Sequence, residues 1–246
     1  MSNKNIKSFY NNCWSDNSSL ASEESHLVMR KKAVDYSMKL MGELKNKKFL
    51  EVGVGSGKQA MFFASKGLFY YGVDISDSSI DIIKSKFKRF GLKGNLQLGN
   101  SEKLAFKDKT FDRVYFNSLI MHVDHEKTIL EISRVLKKGG SLVFLEPMSS
   151  NPFLWVYRTF FSKYDKLKPD YFRYDEISKY SKFFSKFFHK EFYLFSTLFL
   201  LVFSIFKNKN CYVSIVNFFE NFDRLLITIL PFFNRFCWVS VVRFVK

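Results

Sequence analysis

Phe49-Leu50-Glu51-Val52-Gly53-Val54-Gly55-Ser56-Gly57 is the stretch whose reading decides the fold. An apolar run with the length of a buried strand empties into three alternating glycines, and a helix through Gln59, Ala60 and Phe63 follows. Glycine suits such a turn because it tolerates positive φ and lets a ligand approach the backbone with no Cβ in the way. A strand, a glycine loop and a helix form the opening unit of a sheet wrapped by helices.

Outward from this unit the same alternation repeats. Leu68 to Val73 reads as a second strand ending at Asp74, and Asp77 to Phe90 as a helix with Ile80, Ile83 and Phe87 on one face. Asn95 to Leu98 and Phe111 to Phe116 are further strands. Glu126 to Lys138 is a helix stopped by Gly139 and Gly140, and Ser141 to Leu145 a fifth strand closed by Glu146 and Pro147. Cys237 to Val245 alternates and reads as a last, antiparallel strand. The pattern predicts an α/β protein with a doubly wound, mostly parallel sheet, whose ligand sits at the carboxyl ends of the strands. Residues 1 to 20 read as a loose arm, and a helix is expected from Ser22-Glu23-Glu24 through Leu27, Val34, Met38 and Met41.

The glycine loop separates two nucleotide-binding patterns. A dinucleotide fingerprint would place glycine three residues after Gly55, where Lys58 stands, which counts against a nicotinamide oxidoreductase. The GxGxG spacing with Glu51 two residues before Gly53 resembles instead the first motif of class I S-adenosylmethionine (SAM)-dependent methyltransferases, of the type 11-like kind. Tyr71-Gly72-Val73-Asp74-Ile75-Ser76 is similar to that family's second motif, and Leu98-Gly99-Asn100-Ser101-Glu102 to its segment after the third strand. Phe111-Asp112-Arg113-Val114 with Asn117 to Val123 resembles the fourth strand and its loop, and Arg134 to Gly140 the turn into the fifth. The resemblance covers about residues 45 to 147 in order and implies a Rossmann-like fold with SAM as cofactor.

It implies roles as well. Gly53, Val54, Gly55 and Gly57 would line the cofactor, and Glu51 would face its amino group. Asp74 would hold the ribose hydroxyls, Ile75 the adenine face, and Asn100, Ser101 and Asn117 would complete the site. Asn100 stands where relatives carry Asp, so its contact to adenine would be uncharged. Methyl transfer needs a general base only when the acceptor must lose a proton, and His122, just after the fourth strand, is the catalytic candidate. Asp124 and His125 read as a helix cap rather than a metal cluster, and no metal is expected. Tyr10, Trp14, Glu146, Tyr157 and Arg158 are placed on the acceptor side by position alone.

Beyond Pro147 the composition changes, since most of the 31 phenylalanines lie after residue 150. Asp175 opens a basic amphipathic helix with Ile177, Tyr180, Phe183, Phe184 and Phe187 on its apolar face, and Glu191 to Phe195 reads as a sixth strand. The expected organisation is an arm and helix over 1–45, a cofactor-binding core over 46–195, a helical aromatic insertion over 196–236 and a final core strand over 237–246. An apolar run of about 15 residues, counted from Phe192, leads into the insertion; it is roughly 22 Å as a helix and too short for about 30 Å of bilayer hydrocarbon. The insertion continues with Ile215, Phe218, Phe219, Phe222, Leu225, Leu226 and Ile229 read as facing inward, and Asn217, Glu220, Asn221, Asp223 and Arg224 outward.

Two readings of this insertion stand: a lid over a large acceptor pocket, or an anchor lying in a membrane interface. The net charge of +16 suits an anionic surface, although it also fits a Lys- and Asn-rich composition spread over both halves. With no Arg-rich stripe, nucleic acid is disfavoured. Cys13, Cys211 and Cys237 are widely spaced, and Met1 to Trp14 lacks an apolar core, so a reduced cytoplasmic protein at the inner membrane face is expected. Glu146-Pro147 with Asn151-Pro152-Phe153 and Tyr157-Arg158 resembles methyltransferases of surface-polysaccharide and lipid-linked sugar pathways. The acceptor implied is a hydroxyl of a lipid-linked sugar or isoprenoid-type small molecule. The alternative is a catalytically silent, membrane-associated adaptor.

Overall fold

Side chains along each central strand alternate between two apolar layers, and that alternation builds the molecule. Phe49, Tyr115 and Val143 enter one layer with Phe63, Tyr70 and Ile83, while their neighbours Leu50, Phe116 and Phe144 enter the other with Ile129, Phe172 and Phe244. The computed structural model describes residues 3–15, 30–161, 168–198 and 209–246. Its strands are β1 (Lys48–Val52), β2 (Phe69–Asp74), β3 (Asn95–Leu98), β4 (Phe111–Asn117), β5 (Leu136–Pro147), β6 (Lys186–Phe192) and β7 (Val239–Val245). They form one sheet in the order β3-β2-β1-β4-β5-β7-β6. Strands β1 to β5 run parallel, and β7 lies antiparallel between β5 and β6. The expected doubly wound, mostly parallel sheet with an antiparallel last strand is what the chain forms.

The helices are α1 (Asn3–Ser15), α2 (Lys31–Leu40), α3 (Lys58–Ala64), α4 (Asp77–Phe90), α5 (His125–Val135), α6 (Pro152–Phe161), α7 (Asp175–Ser181) and α8 (Lys209–Ile229). Helix α4 is capped by Ser76, whose Oγ accepts the Ser79 N–H at 3.2 Å. Asp124 caps α5 by accepting the Lys127 N–H at 3.0 Å.

Several expectations are corrected. The first residues are a helix rather than a loose arm: Ile6, Phe9, Tyr10 and Cys13 recur at helical spacing, and α1 docks on the start of α4. A Lys7–Asp77 ion pair at 2.7 Å and a bond from Ser76 Oγ to Asn11 Oδ1 at 2.7 Å hold it there. The helix expected to start at Ser22 begins outside the described residues, which resume at Arg30 before α2. The helix opening at Asp175 stops at Ser181, and Lys186–Phe192 becomes β6 because the open edge of β7 pairs with it along its whole length.

Helix α8 is rotated relative to expectation, although Leu226 packs on the core and Asn221 and Arg224 are exposed as expected. Glu220 and Asp223 are buried, whereas Phe218, Phe222, Leu225 and Ile229 are exposed. Asp223 explains the rotation: its carboxylate accepts the N–H groups of Leu194, Phe195 and Ser196 at 2.8 to 3.0 Å and the Ser196 hydroxyl at 2.7 Å. Glu220 pairs with Lys32 at the start of α2. Residues 199–208, which contain most of the apolar run, lie outside the described residues.

Candidate active site

A cavity opens where β1, β2 and β4 end, the position that the sheet topology selects for ligands. Of the residues singled out in sequence, Glu51, Gly53, Val54, Gly55, Asp74, Ile75, Asn100, Ser101, Asn117 and His122 all line it. Gly57 does not line it. It has φ +79° as the residue before α3, and a Cβ there would sit 2.6 Å from Ile83 Cγ1, so it lets α3 pack on α4. Gly53, with φ +73°, leaves just enough room for Leu119, whose Cδ1 would lie 3.0 Å from a Cβ at that position.

Two acids bracket the glycine loop. Asp74 Oδ2 accepts the Gly55 N–H and Oδ1 the Ser76 N–H, each at 2.9 Å. Burial raises the Asp74 carboxyl above its ordinary range, against these backbone donors. Glu51 is buried at the end of β1 and accepts the Tyr70 hydroxyl at 2.7 Å. Burial pushes its carboxyl up to about 8, with the Asp74 charge adding to the effect and the Tyr70 bond opposing it. Two acids so placed fit a ligand with ribose hydroxyls and a cationic amino group, because each carboxylate keeps lone pairs beyond those the protein uses. Asn100 Oδ1 accepts the Glu102 N–H at 2.9 Å, so a contact to an adenine amino group would use its second lone pair.

The loop after β4 closes the cavity on its other side. His122 ends a short 3-10 turn (Ile120–His122), faces Tyr10 of α1 edge-on at 5.4 Å, and is held by burial down to about 4, so it is neutral at pH 7. Glu146, expected on the acceptor wall, does not line the cavity. It supports this loop from behind: Oε1 accepts the Leu119 and Ile120 N–H groups at 2.7 and 3.0 Å. Burial raises its carboxyl to about 7. His125 is no solvated cap residue either, since Nδ1 lies 2.9 Å from Glu176 Oε1 and Nε2 3.0 Å from the Asp170 carbonyl. Burial pushes its pKa down, but Glu176 and Asp170 together hold it above the ordinary histidine value. Among the described residues no group of His, Cys, Asp or Glu side chains could hold a metal ion.

Tyr10, Tyr157 and Arg158 do line the cavity, while the side chain of Trp14 lies outside the described residues. Among the lining residues that sequence reasoning did not assign to the site are Ile6, Arg30, Met121, Leu154, Tyr171 and Trp238. The helical spacing of α1 could have found Ile6. Arg30, Tyr171 and Trp238 are brought in from distant parts of the chain and carry no local motif.

The strand order and the glycine loop between two acids define the class: this is the fold of class I SAM-dependent methyltransferases. Residues 50–144 match the family model described as methyltransferase domain. It is 34% identical over 102 residues to a ubiquinone biosynthesis O-methyltransferase of Coxiella burnetii, a stretch covering 41% of this chain and 44% of that one. It is 29% identical over 112 residues to a sarcosine/dimethylglycine N-methyltransferase of Aphanothece halophytica, covering 42% of this chain and 39% of that one. The chain thus spans about half the length, or less, of the curated relatives it matches. The fold is shared with geranyl diphosphate C-methyltransferase from Streptomyces coelicolor (TM-score 0.68, 13% identity, 98% of this chain and 97% of that one). It is also shared with Haemonchus contortus phosphoethanolamine N-methyltransferase 2 (TM-score 0.61, 19% identity, 86% and 51%).

Proposed function

We propose that the protein is a SAM-dependent methyltransferase acting on a hydroxyl of a hydrophobic or lipid-linked small molecule. The observation that carries this reading is the pair Glu51 and Asp74, set on either side of the glycine loop in one cavity with His122. Asp74 would hold the ribose hydroxyls, Ile75 and Asn100 the adenine, and Glu51 the amino group. When bound, SAM supplies a methyl group on a sulfonium leaving group. The protein's part is then to hold the acceptor in line at near-contact distance and to exclude water. Ile6 and Tyr10 of α1 help close the cavity, and a ring nitrogen of neutral His122 would take the acceptor's proton.

The same reading extends to a membrane surface. Phe218, Phe222, Leu225 and Ile229 lie on one exposed face of α8, and Trp155 and Phe160 of α6 are exposed as well. No described helix is long and apolar enough to cross a membrane, and the contact proposed is an interfacial one. A net charge of +16 would favour anionic headgroups.

Calorimetry with SAM tests the cofactor. Incubation of methyl-labelled SAM with separate lipid and soluble extracts tests the acceptor. Label in the lipid fraction is expected; label confined to soluble sugars or to protein would refute the lipid-linked acceptor. SAM binding without any transfer would favour the silent adaptor.

A further inference from the structure

The charged side chains lining the cavity divide by sign. Glu51 and Asp74 stand at the ends of β1 and β2, while Arg30 enters from the residue before α2 and Arg158 from α6. The two arginines are held differently. Arg30 donates from Nη1 to Ser118 Oγ at 2.9 Å, beside the glycine loop's neighbour strand, and lies near the Glu146 carboxylate. Arg158 lies at the end of the cavity formed by the chain beyond β5. Its Nη1 donates to the Met148 carbonyl at 3.0 Å, and its guanidinium sits 3.5 Å from the ring centre of Tyr171. The Tyr171 segment is itself pinned beneath the β4 loop, where the Asp170 N–H donates to the Met121 carbonyl at 3.0 Å.

A guanidinium anchored through Nη1 and stacked on a ring has its plane set in advance. A planar fork of that kind recognises carboxylate or phosphate oxygens two at a time, with little side-chain ordering left to lose. Leu154, Tyr157 and Trp238 line the same end and offer apolar surface to the rest of a ligand. We infer that Arg158, stacked on Tyr171, is a specificity residue that binds an anionic group, carboxylate or phosphate, of the methyl acceptor. The acceptor is then an amphiphile, with its anion on Arg158 and its reacting atom towards His122. This rests on the methyltransferase reading above.

The test uses the full chain saturated with S-adenosylhomocysteine and three probes sharing one ring: phenyl phosphate, benzoate and benzyl alcohol. At least one anion should bind tenfold or more tighter than benzyl alcohol, and the preferred one identifies the acceptor's charged group. Arg158→Gln should remove that preference, Arg158→Lys should leave an intermediate one, and both should bind S-adenosylhomocysteine as the wild type does. Anions that bind no better than benzyl alcohol, or equally well to Arg158→Gln, would overturn the inference. So would a loss of S-adenosylhomocysteine affinity in Arg158→Gln, which would place the arginine on the cofactor. Failure of the wild type to bind S-adenosylhomocysteine at all would instead sink the methyltransferase reading, and the subsite with it.

Discussion

Asp74 Oδ2 accepts the N–H of Gly55 at 2.9 Å, so the acid proposed to hold the ribose also shapes the glycine loop. Removing its carboxylate does two things at once. Asp74→Ala should lower SAM affinity at least a hundredfold, and it should also destabilise the fold by about 1–3 kcal/mol, because buried N–H groups lose their acceptor. Asp74→Asn keeps an acceptor oxygen and should recover part of the stability without restoring affinity. Calorimetric titration and denaturant midpoints separate the two effects.

If Glu51 faces the cofactor's amino group as proposed, SAM binding should depend on pH. Its carboxyl is raised from 4.5 to about 8 by burial, so the folded chain retains a proton that the unfolded chain releases. That stabilisation is complete below about 4.5 and is lost as pH rises towards 8. A cationic amino group placed against Glu51 favours the ionised form, so SAM binding at pH 7 should expel a proton and tighten from pH 6 to 8. Binding heats measured in buffers of different ionisation enthalpy report the proton. In Glu51→Gln that buffer dependence should vanish; its persistence would remove Glu51 from the cofactor site.

His122 is neutral at working pH because burial holds it at about 4. If it takes the acceptor's proton, His122→Gln should lower kcat by about 10²-fold or more with SAM affinity unchanged. The wild-type rate should show no His122 titration between pH 6 and 8. Equal loss of SAM binding and kcat would mark His122 as a packing residue instead.

The Asp223 carboxylate is buried and accepts three backbone N–H groups and one hydroxyl. Asp223→Leu should cost about 3 kcal/mol or more, since those donors are left unpaired. Urea midpoints check this, and a loss below 1 kcal/mol would show that water readily replaces the contact.

Phe218 and Phe222 are 72% and 51% exposed, so replacing both by Ser should leave thermal stability within about 0.5 kcal/mol. Co-sedimentation with anionic vesicles should nevertheless fall severalfold, and added salt should weaken the wild-type association. Unchanged vesicle binding in the double variant would end the membrane reading of α8.

The candidate site was legible in sequence to the extent that local chemistry builds the cavity's lining. Glycine spacing, an acid before the loop and an acid at the next strand end are one-dimensional features, and ten of the eleven residues they implied line the cavity. Gly57 is the exception, because its closeness to Ile83 depends on how two helices pack. The orientation of α8 was not legible. Hydrophobic periodicity turns the apolar stripe inward by default, and nothing local reveals that Asp223 meets a turn of unpaired N–H groups 27 to 29 residues earlier. β6 was misplaced for a related reason: its phenylalanines suit a helix face and a strand equally, and only pairing with β7 decides between them.

The place of β7 in the sheet has a consequence for biosynthesis. Strands β1 to β5 can pair as they leave the ribosome, since each finds its neighbours among segments already made. β6 cannot join them, because Val239–Val245 must slide between it and β5, pairing on both sides. Until those residues emerge, β5 and β6 each present an unpaired edge, and the nascent chain is most exposed to association with other chains during that interval.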